Sequence, residues 1–178
     1  MGGAPGPAAP PCHTRAVTRS IGAALPEQLL ERLLAPPAAV PDPRAIVLAT
    51  VDPYGWAHPA LLSMAELLAL DPGRLRLALH RGSRSSRHLR ESGRATLVFA
   101  DAELCLYVKA EAVALGAAAG HPDLARFELL VRDVLEDRAE GDESGARLVG
   151  QLTIAWPGDE AAAAARRATI REALADPA

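Results

Sequence analysis

In Arg74-Leu75-Arg76-Leu77-Ala78-Leu79-His80, leucine takes every second position. An extended segment with this pattern has one apolar face, and Arg74, Arg76, Ala78 and His80 share the other. Short apolar runs separated by turn residues begin at Ile46. Ile46 to Val51 reads as a buried strand, and Asp52-Pro53-Tyr54-Gly55 has proline and glycine where a tight turn favours them, so a hairpin is predicted. The returning segment, Trp56 to about Leu70, runs to a second turn at Asp71-Pro72-Gly73, after which the alternating segment is a third strand. Arg94 to Ala100 and Leu104 to Leu115 are the next two strands, and Leu148 to Trp156 is a last one.

Helical signals lie around and between these strands. Pro26 can open a short amphipathic helix through Leu34, stopped by Pro36-Pro37. Ser83 is placed to cap a helix over Arg84 to Ser92, and Gly93 to end it. After Pro122, the three- and four-residue steps between Leu124, Phe127, Val131 and Val134 predict a helix to about Leu135, with Asp123, Arg126, Glu128, Arg132 and Asp133 on its solvated side. Asp159 can cap an alanine-rich helix reaching about Leu174. Short turns between the early strands demand antiparallel pairing. The expected class is mainly β with peripheral helices (α+β), built as a small antiparallel barrel. A single domain over residues 21–178 follows a low-complexity tail, residues 1–20, expected to be disordered.

Composition narrows the function. The net charge of −3 gives no global attraction to nucleic acid or anionic lipid, so any basic site is local. Cys12 and Cys105 form neither a CxxC nor a disulfide framework. The start of the chain lacks the basic and apolar regions of a signal peptide, and no run of eighteen apolar residues occurs, so a cytoplasmic protein with no membrane span is expected.

The local basic site is the stretch from His80 to Arg94, where Arg81, Arg84, Arg87, Arg90 and Arg94 face only Glu91. A helix start offers unpaired backbone N–H groups and a partial positive charge, and here Ser83, Ser85 and Ser86 add hydroxyls. Gly82 lets a ligand approach the backbone without a Cβ in the way. Three charge-assisted hydrogen bonds at roughly 1.5–3 kcal/mol each would supply most of the roughly 8 kcal/mol of a micromolar complex. Two other readings of the same residues are a solvated arginine-rich helix face and a nucleic-acid patch. The second lacks the interleaved aromatics that stack bases, so nucleic acid is not the expected partner.

Ile46 to Gly55, His58-Pro59, the alternating strand and Gly82-Ser83-Arg84-Ser85-Ser86-Arg87-His88-Leu89, in that order and spacing, resemble the pyridoxamine 5′-phosphate oxidase-like, FMN-binding split-barrel superfamily. The resemblance covers about residues 40 to 115. It implies an antiparallel split β-barrel over residues 21–178, a homodimer with FMN at the subunit interface, and a flavin-dependent oxidoreductase acting on a small molecule. It also implies that Ser83 and Arg84 hold the FMN phosphate, with Ser85 where a further basic residue is usual. Ala78 and Leu79 would run along the isoalloxazine ring, beside Leu61 to Ser63. His80 and Arg87 complete the expected cofactor-binding set of Ser63, Ala78, Leu79, His80, Ser83, Arg84, Ser85 and Arg87.

Departures from the family pattern imply a divergent member. The lysine and arginine that true pyridoxamine phosphate oxidases carry on the second strand are missing, Glu103 stands near a flavin-contacting glutamine, and Trp156 lies outside the oxidases' C-terminal pattern. The same groove is open to a deazaflavin or haem, or to a flavin held without turnover. His58, His80 and His88 share no metal-ligand spacing, and no metal site is expected.

Overall fold

The alternation in 74–80 forms the strand it predicts, and its two faces separate the interior of the molecule from a second, outer layer. A computed structural model describes residues 18–34, 42–118, 120–137, 148–156 and 158–176. In chain order these form β1 (Thr18–Gly22), α1 (Glu27–Leu33), β2 (Ala45–Val51), β3 (Ala57–Ser63), a 3-10 turn (Met64–Glu66), β4 (Leu67–Asp71), β5 (Arg74–His80), α2 (Arg84–Ser92), β6 (Arg94–Ala100), β7 (Cys105–Ala118), β8 (His121–Asp137) and α3 (Glu160–Ala175). All strand pairs are antiparallel, in the order β3-β2-β6-β7-β8-β5-β4, with β1 against β8. The sheet curls into a split barrel, the antiparallel barrel that the strand pattern predicts in the form that the family resemblance implies.

Leu75, Leu77 and Leu79 of β5 join Leu48, Leu67, Leu97, Val108, Phe127 and Leu129 in the barrel core, which Leu29 and Leu33 of α1 and Leu89 of α2 extend. A separate, smaller cluster lies outside the barrel, where Ala78 meets Ile170 and Leu174 of α3. Among the described residues no helix is long and apolar enough to cross a membrane.

Several elements depart from the sequence reading. Residues 121–137 are not a helix but the seventeen-residue strand β8, the partner of β1, β5 and β7. Ala125, Phe127, Leu129 and Val131 are buried at strand spacing, and a register shift opposite Lys109 and Ala110 then moves the buried position to Val134. That three-residue step imitates helical periodicity. The acidic and basic residues expected on a helix face instead pair across strands, as in Arg132 to Glu111 at 2.6 Å and Ser20 to Asp133 at 2.6 Å.

The segment 148–156 is no strand. It bonds to the chain before β2 through one bridge, Arg44 to Thr153, flanked by Ala45 N–H to the Leu152 carbonyl at 2.8 Å and Ile154 N–H to the Pro43 carbonyl at 2.7 Å. The return from the first hairpin is cut in two by the 3-10 turn, where Glu66 accepts the Ser63 N–H and hydroxyl in a capping box. Thr18 to Ser20, within the expected tail, already belong to β1, and residues 1–17 lie outside the described residues.

Candidate functional site

The helix start predicted at Ser83 is built as expected. Ser83 is the N-cap of α2, its Oγ accepting the Ser86 N–H at 3.1 Å, and Gly93 ends the helix at φ 62°, in the left-handed region that glycine enters without a Cβ penalty. The hydroxyls are less available than the sequence implied. The Ser83 hydroxyl donates to Ser86 Oγ at 3.1 Å and the Ser86 hydroxyl donates to the His80 carbonyl at 2.9 Å, while Ser85 is buried at 4% exposure. Two of the three hydroxyls therefore lock the loop rather than face a ligand.

What remains is backbone and guanidinium. Among the described residues, the N–H groups of Arg84 and Ser85 have no protein acceptor, and Arg81, Arg84 and Arg87 are exposed with no ion-pair partner. His80 is exposed too, and its Nδ1 accepts the Gly82 N–H at 3.2 Å. A Cβ at Gly82 would sit 3.4 Å from His80 Cε1, in van der Waals contact with the folded-back ring. A cavity of about 140 Å³ opens beside this loop, lined by Arg81, Arg90 and Arg126 with Ala114, Leu124 and Ala125. This is below the roughly 300–1,000 Å³ of pockets that enclose a cofactor, so it is at most part of one.

The ring end is different. Ala78, on the outer face of β5, is 1% exposed beneath Ile170 and Leu174. Arg76, two residues before it, donates through Nη1 to the Leu174 carbonyl at 2.9 Å and the Asp176 carbonyl at 2.8 Å. Arg126, paired with Ala78 across the sheet, donates to the Asp176 carbonyl at 2.7 Å. Leu79 is buried at 5% and points into the barrel core. The Ser63 hydroxyl is held by Glu66, and burial pushes the Glu66 carboxyl up despite its bonds to Ser63. At Met64, the next residue, Arg171 of α3 donates to the carbonyl at 3.0 Å.

Tested against FMN, the residues split. The start of α2 fits a phosphate, whereas the face that would carry the isoalloxazine ring is covered by α3. Of the expected set, His80, Ser83, Arg84, Ser85 and Arg87 come together at one loop, with Ala78 and Leu79 on the strand leading to it and Ser63 at the 3-10 turn. The clamp of Arg76 and Arg126 on α3 escaped the sequence reading. Arg76 was legible as an outward strand position, but the helical reading of 122–135 hid Arg126 as its neighbour.

A larger cavity, about 790 Å³, opens elsewhere, along the turn from β6 to β7, and its walls include Asp101, Glu103, Cys105, Tyr107 and Asp137. Glu103, the position near the family's glutamine, ion-pairs with Arg32. Tyr107 donates to Asp137 at 2.6 Å, a bond that raises the phenol above its ordinary range, and burial raises the Cys105 thiol. Both shifts favour the neutral thiol and phenol. His58 and His88 meet edge to face with centroids 4.9 Å apart, and His88 Nδ1 is 3.2 Å from Thr50 Oγ1. Both rings are part of the packing of α2 on β2 and β3.

Residues 37–173 match the pyridoxamine 5′-phosphate oxidase family, and the chain belongs to it. Among solved structures it is similar to a candidate pyridoxamine 5′-phosphate oxidase from Lactobacillus delbrueckii, with 18% identity, 65% of this chain and 97% of the other covered, and a TM-score of 0.50. It is also similar to general stress protein 26 from Bacillus anthracis (13% identity, 62% and 95% covered, TM-score 0.45). A third is the haem storage protein HutZ from Vibrio cholerae (16%, 57% and 91%, TM-score 0.44). No curated protein matches.

Proposed function

We propose that this chain is an FMN-binding oxidoreductase of the family, with a small-molecule substrate. The observation that carries this reading is the start of α2, where the Arg84 and Ser85 N–H groups have no protein acceptor and Arg84 and Arg87, one helical turn apart, are exposed and have no ion-pair partner among the described residues. An anion that neutralises such a spot replaces water as the acceptor for donors the fold has left open. Bound flavin would supply the electron transfer, and the protein's part is to hold and orient it. Arg84, Arg87 and the Arg84 and Ser85 N–H groups would take the phosphate. The expected ring position, at Ala78, lies under α3.

The same reading includes a homodimer. On the outer face of β3, β2 and β6, Leu61 pairs with Val47 and Val47 with Val98, and Leu61 is 57% exposed. An apolar sheet face of this kind suits a second copy of the chain.

The test is the absorption spectrum of the purified protein, followed by titration with FMN. The expected result is stoichiometric FMN, bound at least about tenfold more weakly by Arg84→Ala, and bleached by NADH or NADPH. A colourless protein with no thermal shift on adding FMN would overturn the reading.

A further inference from the structure

We propose that α3 is a displaceable cover over the ring end of the cofactor groove, and that a flavin enters its full site only when this helix lifts. The proposal rests on the FMN reading above and assigns that site its gate.

A ligand anchored by phosphate at the start of α2 extends away from Gly82 along the outer face of β5. At about 3.3 Å per residue, Ala78 lies roughly 13 Å down that face, with His80 on the way. The ligand meets α3 there. The seat of the helix is a small apolar cluster of Ala78, Ile170 and Leu174, bordered by Leu68, Leu124 and Trp156 and separate from the barrel core. Removing the helix from this seat leaves the core intact.

The docked state also leaves donors unsatisfied. Arg76 Nε, Arg126 Nε, Arg167 Nε and Nη1 and Arg171 Nη1 are buried without an acceptor among the described residues. All four arginines lie in the contact between α3 and the sheet or on α3 itself. Buried donors without acceptors oppose docking, and lifting the helix returns them to water. On the seat, the freed guanidiniums of Arg76 and Arg126 then flank the ring position at Ala78. Their present acceptors, the Leu174 and Asp176 carbonyls, occupy the place that a ligand's carbonyl or anionic oxygens would take.

The chain is built to let α3 move as a unit. Its alanine-rich sequence keeps helical propensity without tertiary contacts, and the Asp159 side chain caps it internally by accepting the Ala162 N–H at 2.7 Å. Gly158, at φ 97°, immediately precedes that cap, and among the described residues the segment 148–156 before it bonds to the barrel's backbone only around the Arg44 to Thr153 bridge. A hinge at Gly158 needs no other element to shift.

The experiment is amide hydrogen exchange on the full chain with and without saturating FMN, together with FMN titration of the Leu174→Ala variant. With FMN bound, exchange over residues 163–174 should rise at least tenfold while residues 84–89 slow. Leu174→Ala should bind FMN at least tenfold more tightly, as expected when a cover that competes with the ligand is weakened. FMN binding that depends on Arg84, with exchange in α3 unchanged and the same Kd in Leu174→Ala, would overturn the cover and leave the flavin reading standing. If exchange shows α3 released in Leu174→Ala and neither that variant nor the wild type binds FMN, the flavin reading falls and takes the cover with it.

Discussion

Arg126 and Asp176 are joined twice. The Arg126 guanidinium is 2.7 Å from the Asp176 backbone carbonyl and 3.3 Å from its carboxylate, and Arg126 itself is only 4% exposed. A strand arginine thus caps the carbonyl end of α3, where the helix dipole is negative. Replacing Arg126 with methionine keeps most of the apolar stem and removes the cap. The expected result is a lower-temperature melting of α3, ahead of the barrel, seen as an early loss of part of the helical circular dichroism signal.

Arg84 and Arg87 are exposed and unpaired, so neither should contribute to stability. Replacing either with alanine should weaken FMN binding about tenfold or more, the value of one charge-assisted hydrogen bond, and leave the melting temperature within about 1 °C. Isothermal titration and a thermal scan of the two variants check both halves.

Ser83 is the reverse case. Its hydroxyl caps α2 and donates to Ser86, so Ser83→Ala should cost about 1 kcal/mol and lower the melting temperature by about 2–4 °C. Ser83→Thr, which keeps a capping oxygen, should recover most of the loss. Chemical denaturation of the three proteins distinguishes these values.

Asp101 gives the fold an acid-sensitive joint. Burial pushes its carboxyl up, but the Glu103 and Leu104 N–H groups and Arg32 outweigh burial and hold it below the ordinary carboxylate value. A group lowered in the folded state stabilises the protein above its unfolded value and loses that contribution as pH falls through its folded value. Asp101→Asn should therefore cost about 1–2 kcal/mol at neutral pH. The difference should shrink as the pH is taken below about 4. Urea denaturation at neutral and acid pH measures it.

Leu61 lies on the outer face assigned to a second copy. Leu61→Arg should convert a dimer to a monomer in light scattering without unfolding it, because the side chain is already more than half exposed. A dimer that persists would place the contact elsewhere.

The sequence announced most of the barrel because its strands alternate cleanly and its turns carry their own chemistry. Leu75, Leu77 and Leu79 fixed both the strand and its inner face, and Ser83 with Gly93 fixed both ends of α2. It misled at β8, because a register shift produces the same three-residue apolar step as a helix, and nothing local to the sequence marks the shift. The eighth-strand error also hid a tertiary fact. The clamp on α3 needs Arg126 beside Ala78, a pairing made by β5 and β8 that brings it diagonally across from Arg76 and is invisible until both are strands. The arginine loop was legible in position. What was not legible was the spending of Ser83 and Ser86 on each other and on the His80 carbonyl, since hydroxyl partners are set by loop geometry.

The strand β8 also dictates an order of events during synthesis. Its partner β1 is held by contacts as distant in sequence as Arg19 to Glu136, 117 residues apart, so the amino-terminal strand waits for nearly the whole barrel to be made before it can pair. The helix α3 comes later still. Once β5 and β8 have paired in a newly made chain, Ala78, Arg76 and Arg126 therefore face water until α3, the last element in chain order, docks over them.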